Sequence, residues 1–240
     1  MRRVDKWLIE LDGGIEREAT IILFPFAGGS ASYFREWPAK ESQFSFYCAE
    51  LPGRGYRFME PFANSISECA VAIADSILKW RRGPVYLAGH SMGSLIATEV
   101  AYILEQSGLS VAYLLVSGCG APGSGRRAIK GSLTDHIISL GGIPLELSEH
   151  ADFMSIFETI FSSDISLIDD YAPREGLKLS CPIIVCSGDS DEFLQRSDIH
   201  DWRNVTDGRC DFVPMKGGHF YQSGTLFELR EELIKGFVLR

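Results

Sequence analysis

Short, continuous apolar runs alternate along this chain with longer amphipathic segments, the rhythm of strands buried on both faces and of the helices that cover them. The runs predict strands at Trp7–Leu11, Ile21–Phe24, Phe44–Ala49, Val85–Ala88, Val111–Ser117, Ile183–Ser187 and Cys210–Pro214. Ser65 followed by Glu68 is a capping-box signature, which opens a helix with Val71, Ala74, Ile77 and Leu78 on one face and an end near Arg82 and Gly83. A second helix starts beside Ser91, carries Leu95, Ile96, Val100 and Ile103, and stops at Gly108 as its C-terminal cap. A third is expected from about Thr225 to Val238. Strands alternating with helices in this way predict an α/β fold built on a mostly parallel sheet flanked by helices.

From about Gly118 to Ser180 the rhythm breaks, over an interval too long for an ordinary connection. Within it Phe153, Ile156, Phe157, Ile160 and Phe161 recur at helical spacing, so the interval contains at least one amphipathic helix. Residues 118–180 are therefore read as a helical lid inserted into a single domain spanning 1–240.

A length of 240 residues, 45% of them hydrophobic and 23% charged, suits one globular domain with a substantial core. The formal net charge of −9 excludes a binder of the nucleic-acid backbone, which needs a basic surface. Glu10 and Asp12 interrupt the first apolar run before it reaches the length of a signal peptide, and no run approaches a membrane span. A soluble, cytoplasmic, monomeric protein is expected. Cysteines 48, 69, 119, 181, 186 and 210 show no paired metal-binding spacing and are read as reduced thiols.

Chemistry enters with PVYLAGHSMGSLIATEVA, where Gly-x-Ser-x-Gly sits between an apolar strand and an apolar helix. That is the context of a nucleophile elbow and of the α/β-hydrolase fold. Ser91 is the candidate nucleophile, with Gly89 and Gly93 removing side chains that would collide around it. The Met92 N–H, at the helix start, is a candidate oxyanion donor. A second donor is expected from the loop FPFAGGSAS after an early strand, where Ala27 is the candidate.

A serine hydroxyl needs a base to take its proton. Of five histidines, His219 in PMKGGHFYQ lies in a glycine-bearing loop between the last strand and the last helix, where hydrolases with the chain order Ser, acid, His place the base. His90 belongs to the elbow, His136 and His150 to the insertion, and His200 to an expected surface helix. The acid that orients the imidazole comes from SGDSDEF, where Asp191 is preferred and Asp189 competes.

Taken together, FPFAGGSASYFREWP, LPGRGYR, AGHSMGSLIA, CSGDSDEF and GGHFYQ resemble the type II thioesterases that accompany nonribosomal peptide and polyketide synthases. The resemblance covers most of the chain outside the insertion. It implies a stand-alone enzyme that hydrolyses acyl groups from the phosphopantetheine arm of acyl or peptidyl carrier domains, with no cofactor and no metal. It also implies Ser91, Asp191 and His219 as the triad and the Ala27 and Met92 amides as oxyanion donors. The acid loop departs from the pattern in carrying Glu192 directly after Asp191.

Phe153, Phe157 and Phe161 are candidates for an acyl pocket or carrier-docking face, against a competing reading as core packing. Arg126 and Arg127, with Lys130, form a basic cluster in the insertion that could meet an acidic carrier surface, with a solvated loop as the default reading. Arg54 and Arg57 in LPGRGYR are candidates for contacting phosphopantetheine phosphate or for bracing the mouth of the site, with bracing the default. Two alternatives share the fold: a carboxylesterase or lipase, which uses the same machinery on oxyesters, and a non-catalytic ligand-binding protein.

Overall fold

The computed structural model describes residues 1–12, 17–38, 43–124, 132–139, 143, 145–221, 226 and 229–232. Eight strands form one sheet: β1 (Arg2–Arg3), β2 (Leu8–Glu10), β3 (Ala19–Phe24), β4 (Phe44–Ala49), β5 (Val85–His90), β6 (Val111–Ser117), β7 (Ile183–Gly188) and β8 (Cys210–Met215). Their order is β1-β2-β4-β3-β5-β6-β7-β8. The six strands from β4 to β8 in that order are parallel, while β1 and β2 add an antiparallel edge. β3 and β4 are buried at every position, which explains why their apolar runs are unbroken by alternation.

Helices α1 (Ile66–Trp80) and α2 (Met92–Gln106) pack on each other, and α2 lies against β5 and β6. Ser65 caps α1 by accepting the Glu68 N–H at 3.1 Å. At the end of α2, Gly108 takes φ +79°, its N–H reaches Glu105 O at 3.0 Å, and the Leu109 N–H reaches Leu104 O at 3.0 Å. That pair of bonds is a Schellman cap, which requires a residue at ease in the left-handed region.

The buried stripe of α1 is Ile66, Cys69, Ala70, Ile73, Ala74 and Ile77 rather than the expected face. Val71 is 47% exposed and Leu78 37% exposed, because the two lie seven residues apart on a margin turned to solvent. Of the expected third helix, residues 229–232 are helical, and most of the remainder lies outside the described residues.

Between β6 and β7 the insertion contributes α3 (Leu133–Ser139), α4 (Leu145–Ser148) and the long α5 (Ala151–Asp169), with α3 and α4 both packed on α5. Met154, Phe157, Phe161 and Leu167 of α5 join the same hydrophobic cluster as the sheet, whereas Ile156 is 47% exposed. A short α6 (Arg196–His200) follows β7. Among the described residues no helix is long and apolar enough to cross a membrane.

The α1 assignment has a direct check in urea unfolding. Ile73→Ala should cost roughly 2–5 kcal/mol of stability, since it opens a cavity in the core. Val71→Ala should stay within about 0.5 kcal/mol of wild type.

Candidate active site

β5 runs into α2 through Ser91, whose backbone sits at φ 53° and ψ −122°. A residue with a side chain enters that region only when its surroundings force it. They do so here. The Ser91 N–H donates to Ser117 O of β6 at 2.7 Å, and Ser91 O accepts the Ser94 N–H at 2.9 Å. A Cβ on Gly89 would lie 2.3 Å from Gly93 O, and one on Gly93 would lie 2.1 Å from Phe24 O. Both glycines are therefore steric requirements of the turn. Met92 opens α2, where a first-turn N–H has no carbonyl one turn back to receive it.

The loops after β7 and β8 meet beside this turn. His219 Nδ1 lies 2.9 Å from Asp191 Oδ2, and Asp191 Oδ1 accepts the Phe193 N–H at 3.0 Å. Both Asp191 oxygens are thus engaged in a buried position. Asp189 instead accepts the Gly217 N–H at 3.0 Å, joining the two loops to each other. Glu192 is exposed, and Asp191 beside it reaches the imidazole.

Ser91, Met92, Ala27 and His219 all line one cavity of about 510 Å³. Its walls are largely apolar, with Leu95 from α2, Phe220 from the loop after β8, and Phe161, Ile165 and Ile168 from α5. That size and lining suit a small organic ligand. Of the three phenylalanines singled out in the sequence, only Phe161 is a wall residue. Phe157 stacks between Phe153 and Phe161, with ring centroids 6.1 and 5.8 Å away. Among the described residues no group of three His, Cys, Asp or Glu side chains is arranged to hold a metal ion.

The thioesterase domain family matches residues 19–235. The chain belongs to the thioesterase family. Thioesterase PikA5 of Streptomyces venezuelae is 28% identical, the match covering 95% of this chain and 84% of the relative. The medium-chain S-acyl fatty acid synthase thioesterase of Rattus norvegicus is 31% identical, over 84% of this chain and 80% of the relative. The solved structure of the type II thioesterase BorB from the borrelidin biosynthetic cluster superposes with a TM-score of 0.85 at 28% identity, covering 100% of this chain and 98% of BorB. The protein is thus a thioesterase of the α/β-hydrolase fold.

In this thioesterase the arginines of LPGRGYR are not placed to meet a carrier or its phosphate. The Arg54 guanidinium is 3% exposed and forms a two-pronged pair with Asp164 of α5, Nη1 to Oδ2 at 2.5 Å and Nη2 to Oδ1 at 2.6 Å. Arg57 donates to Glu50 O at 2.9 Å and to Glu60 Oε2 at 2.9 Å, and stacks 3.9 Å from the Trp7 ring centroid. The Arg54 pair is buried and the Arg57 pair lies at a half-buried Glu60, so both guanidiniums brace the loop, the default expectation for them. Arg126, Arg127 and Lys130 lie outside the described residues.

The sequence reading missed Asp164 and Glu99. Glu99 of α2 accepts from Tyr171 Oη at 2.9 Å and Arg174 Nε at 2.6 Å, anchoring the chain just after α5. Asp164 follows Phe157, Ile160 and Phe161 at helical spacing, so it stands on an apolar stripe. An acid in that position is a legible sign of a buried partner. It also missed Cys119, a wall residue whose thiol is pushed up to about 12 by burial and by the nearby Asp191 charge.

His90 lies beneath the site. Its Nδ1 is 2.8 Å from Ser117 Oγ, which in turn bonds the Tyr221 hydroxyl, and its ring centroid is 4.9 Å from that of His219. Burial first, and the neighbouring His219 second, hold the His90 pKa well below its usual 6.5. Below pH 6.5 the unfolded chain therefore takes up a proton that the folded chain refuses, so folded stability is full above that pH and falls as pH drops toward the folded pKa. His90→Gln should flatten this acid-side slope in urea midpoints measured as a function of pH. An unchanged slope would mean that other groups set it.

Proposed function

We propose that the protein is a type II thioesterase that hydrolyses acyl groups from the phosphopantetheine arm of carrier proteins through a serine triad. The hydrogen bond from His219 to Asp191, at the cavity that Ser91 enters from a strained turn, is the observation that supports this most directly.

With Nδ1–H held by Asp191, the neutral imidazole presents Nε2 as an acceptor. His219 then takes the Ser91 hydroxyl proton as Oγ attacks the thioester carbonyl. The resulting oxyanion is received by the Met92 and Ala27 N–H groups. The next amide, of Gly28, is already committed to Asp164 at 2.7 Å, which favours Ala27 as the donor from this loop. Collapse of the tetrahedral intermediate expels the pantetheine thiol, protonated by His219. Water, activated by the same imidazole, then releases the acid from acyl-Ser91. A thiol leaves more readily than an amine, so this route works without an electrophilic metal.

The substrate class follows from the cavity and the relatives together. Apolar walls from α5 accommodate an acyl chain, and the insertion acts as a lid over it. PikA5 and BorB carry the name thioesterase, and BorB comes from a biosynthetic cluster. Editing or release of acyl chains in nonribosomal peptide or polyketide assembly is the role that fits.

The test is acyl release from a loaded phosphopantetheinyl carrier protein, followed by intact mass, with a simple oxyester run in parallel. Release that disappears in Ser91→Ala is the expected result. Rapid oxyester cleavage beside an untouched carrier would make the protein an esterase instead. In the same assay Asp191→Asn should lose on the order of 10⁴ in kcat, because the imidazole then settles in the wrong tautomer. Asp189→Asn should lose far less, and equal losses would refute the choice of acid.

A further inference from the structure

Three buried charged side chains, two from the segment after β4 and one from α5, converge on the loop after β3. Glu50, just beyond β4, accepts the Ala31 N–H at 2.8 Å and the Tyr56 N–H at 3.0 Å. Arg54 donates to the Gly29 carbonyl at 3.4 Å while pairing with Asp164. Asp164, which is 0% exposed, closes the set by accepting the Gly28 N–H at 2.7 Å across 136 residues of sequence. Gly28 sits at φ +81°, and the Phe157 ring lies 2.7 Å from where its Cβ would stand. Helix α5 therefore grips one loop residue with both a carboxylate and a ring.

Stability alone is a weak reason for this arrangement. A buried ion pair costs so much desolvation that apolar residues of similar volume often serve as well. An apolar pair, however, cannot hold the Gly28 N–H. That amide belongs to the peptide unit joining Gly28 to Ala27, so pinning it limits how far the adjoining Ala27 backbone can swing.

We propose that Asp164 is a positioning residue for thioester hydrolysis: the carboxylate carried by α5 holds the oxyanion loop in register, so that the oxyanion hole is complete only while this helix is seated on the loop. The inference rests on the reading of Ala27 as an oxyanion donor. Its kinetic signature is specific. The oxyanion exists in the transition state and not in the bound thioester, so loss of register lowers kcat and leaves KM nearly unchanged.

The experiment compares variants on a hexanoyl thioester of N-acetylcysteamine, with folding checked by thermal denaturation. Arg54→Met/Asp164→Leu removes the pair and the acceptor while keeping the volume apolar. It should lose about 10²-fold in kcat, the scale of a misplaced catalytic group, with KM within about twofold. Arg54→Met/Asp164→Asn lacks the charges but keeps a carbonyl that can accept the Gly28 N–H, and should recover at least about a tenth of wild-type kcat. Asp164→Glu keeps the ion pair but moves the carboxylate by one methylene, and should lose about tenfold in kcat even if the apolar pair does not fold. Wild-type kcat in Asp164→Glu, or equal kcat in the two double variants, overturns the inference while leaving the thioesterase intact. A wild-type enzyme no faster than Ser91→Ala on this thioester would instead sink the functional reading itself.

Discussion

The turn at Ser91 is the constraint from which the rest of the site takes its shape. A backbone at φ 53° and ψ −122° costs on the order of 1–3 kcal/mol for a residue with a side chain. It is sustained because β5 ends and α2 begins at the same point, with Gly89 and Gly93 leaving room for Phe24 and for each other. The same turn places both Ser91 and Met92, the first residue of α2, on the wall of the cavity. Without that strain the serine would be an ordinary helix N-cap.

Around this fixed point the loops are held by charge buried at the seam between sheet and insertion. Arg54 with Asp164, and Arg174 with Glu99, tie the chain of α5 to the core at its middle and just beyond its end. Glu50 fastens the loop after β3 from below. Removing one partner from such a pair is far more damaging than replacing both, because an unpaired charge stays behind in a medium that solvates it poorly. The insertion is thus seated by directional bonds as well as by its phenylalanines, and this seat forms one wall of the cavity.

Much of the fold is legible in the sequence because parallel strands buried on both faces must be continuous apolar runs, and the seven predicted runs all became strands. The glycine and serine spacing at residues 89–93 carries its own steric meaning, so the position of the turn could be read locally. The stripe of α1 could not, since Val71 and Leu78 are as apolar as the residues actually buried and only packing against α2 separates them. The arginines of LPGRGYR left two readings open, bracing by default and phosphate contact as the alternative, for a related reason. A guanidinium in a loop looks like a phosphate ligand until its partner is known, and Asp164 lies 110 residues away. That partner left a trace as a single acid on an otherwise apolar helical face, which periodicity alone does not weigh.

The central claim is that Ser91, activated by His219, carries the acyl group between the two half-reactions. Rapid acid quench of the enzyme with an acyl thioester of N-acetylcysteamine, followed by peptide mass mapping, tests it most directly. The account predicts the acyl mass on the peptide containing Ser91, and its disappearance in His219→Ala. An acyl group on Cys119, which lines the same cavity, or turnover with no acyl-enzyme at any quench time, would contradict it.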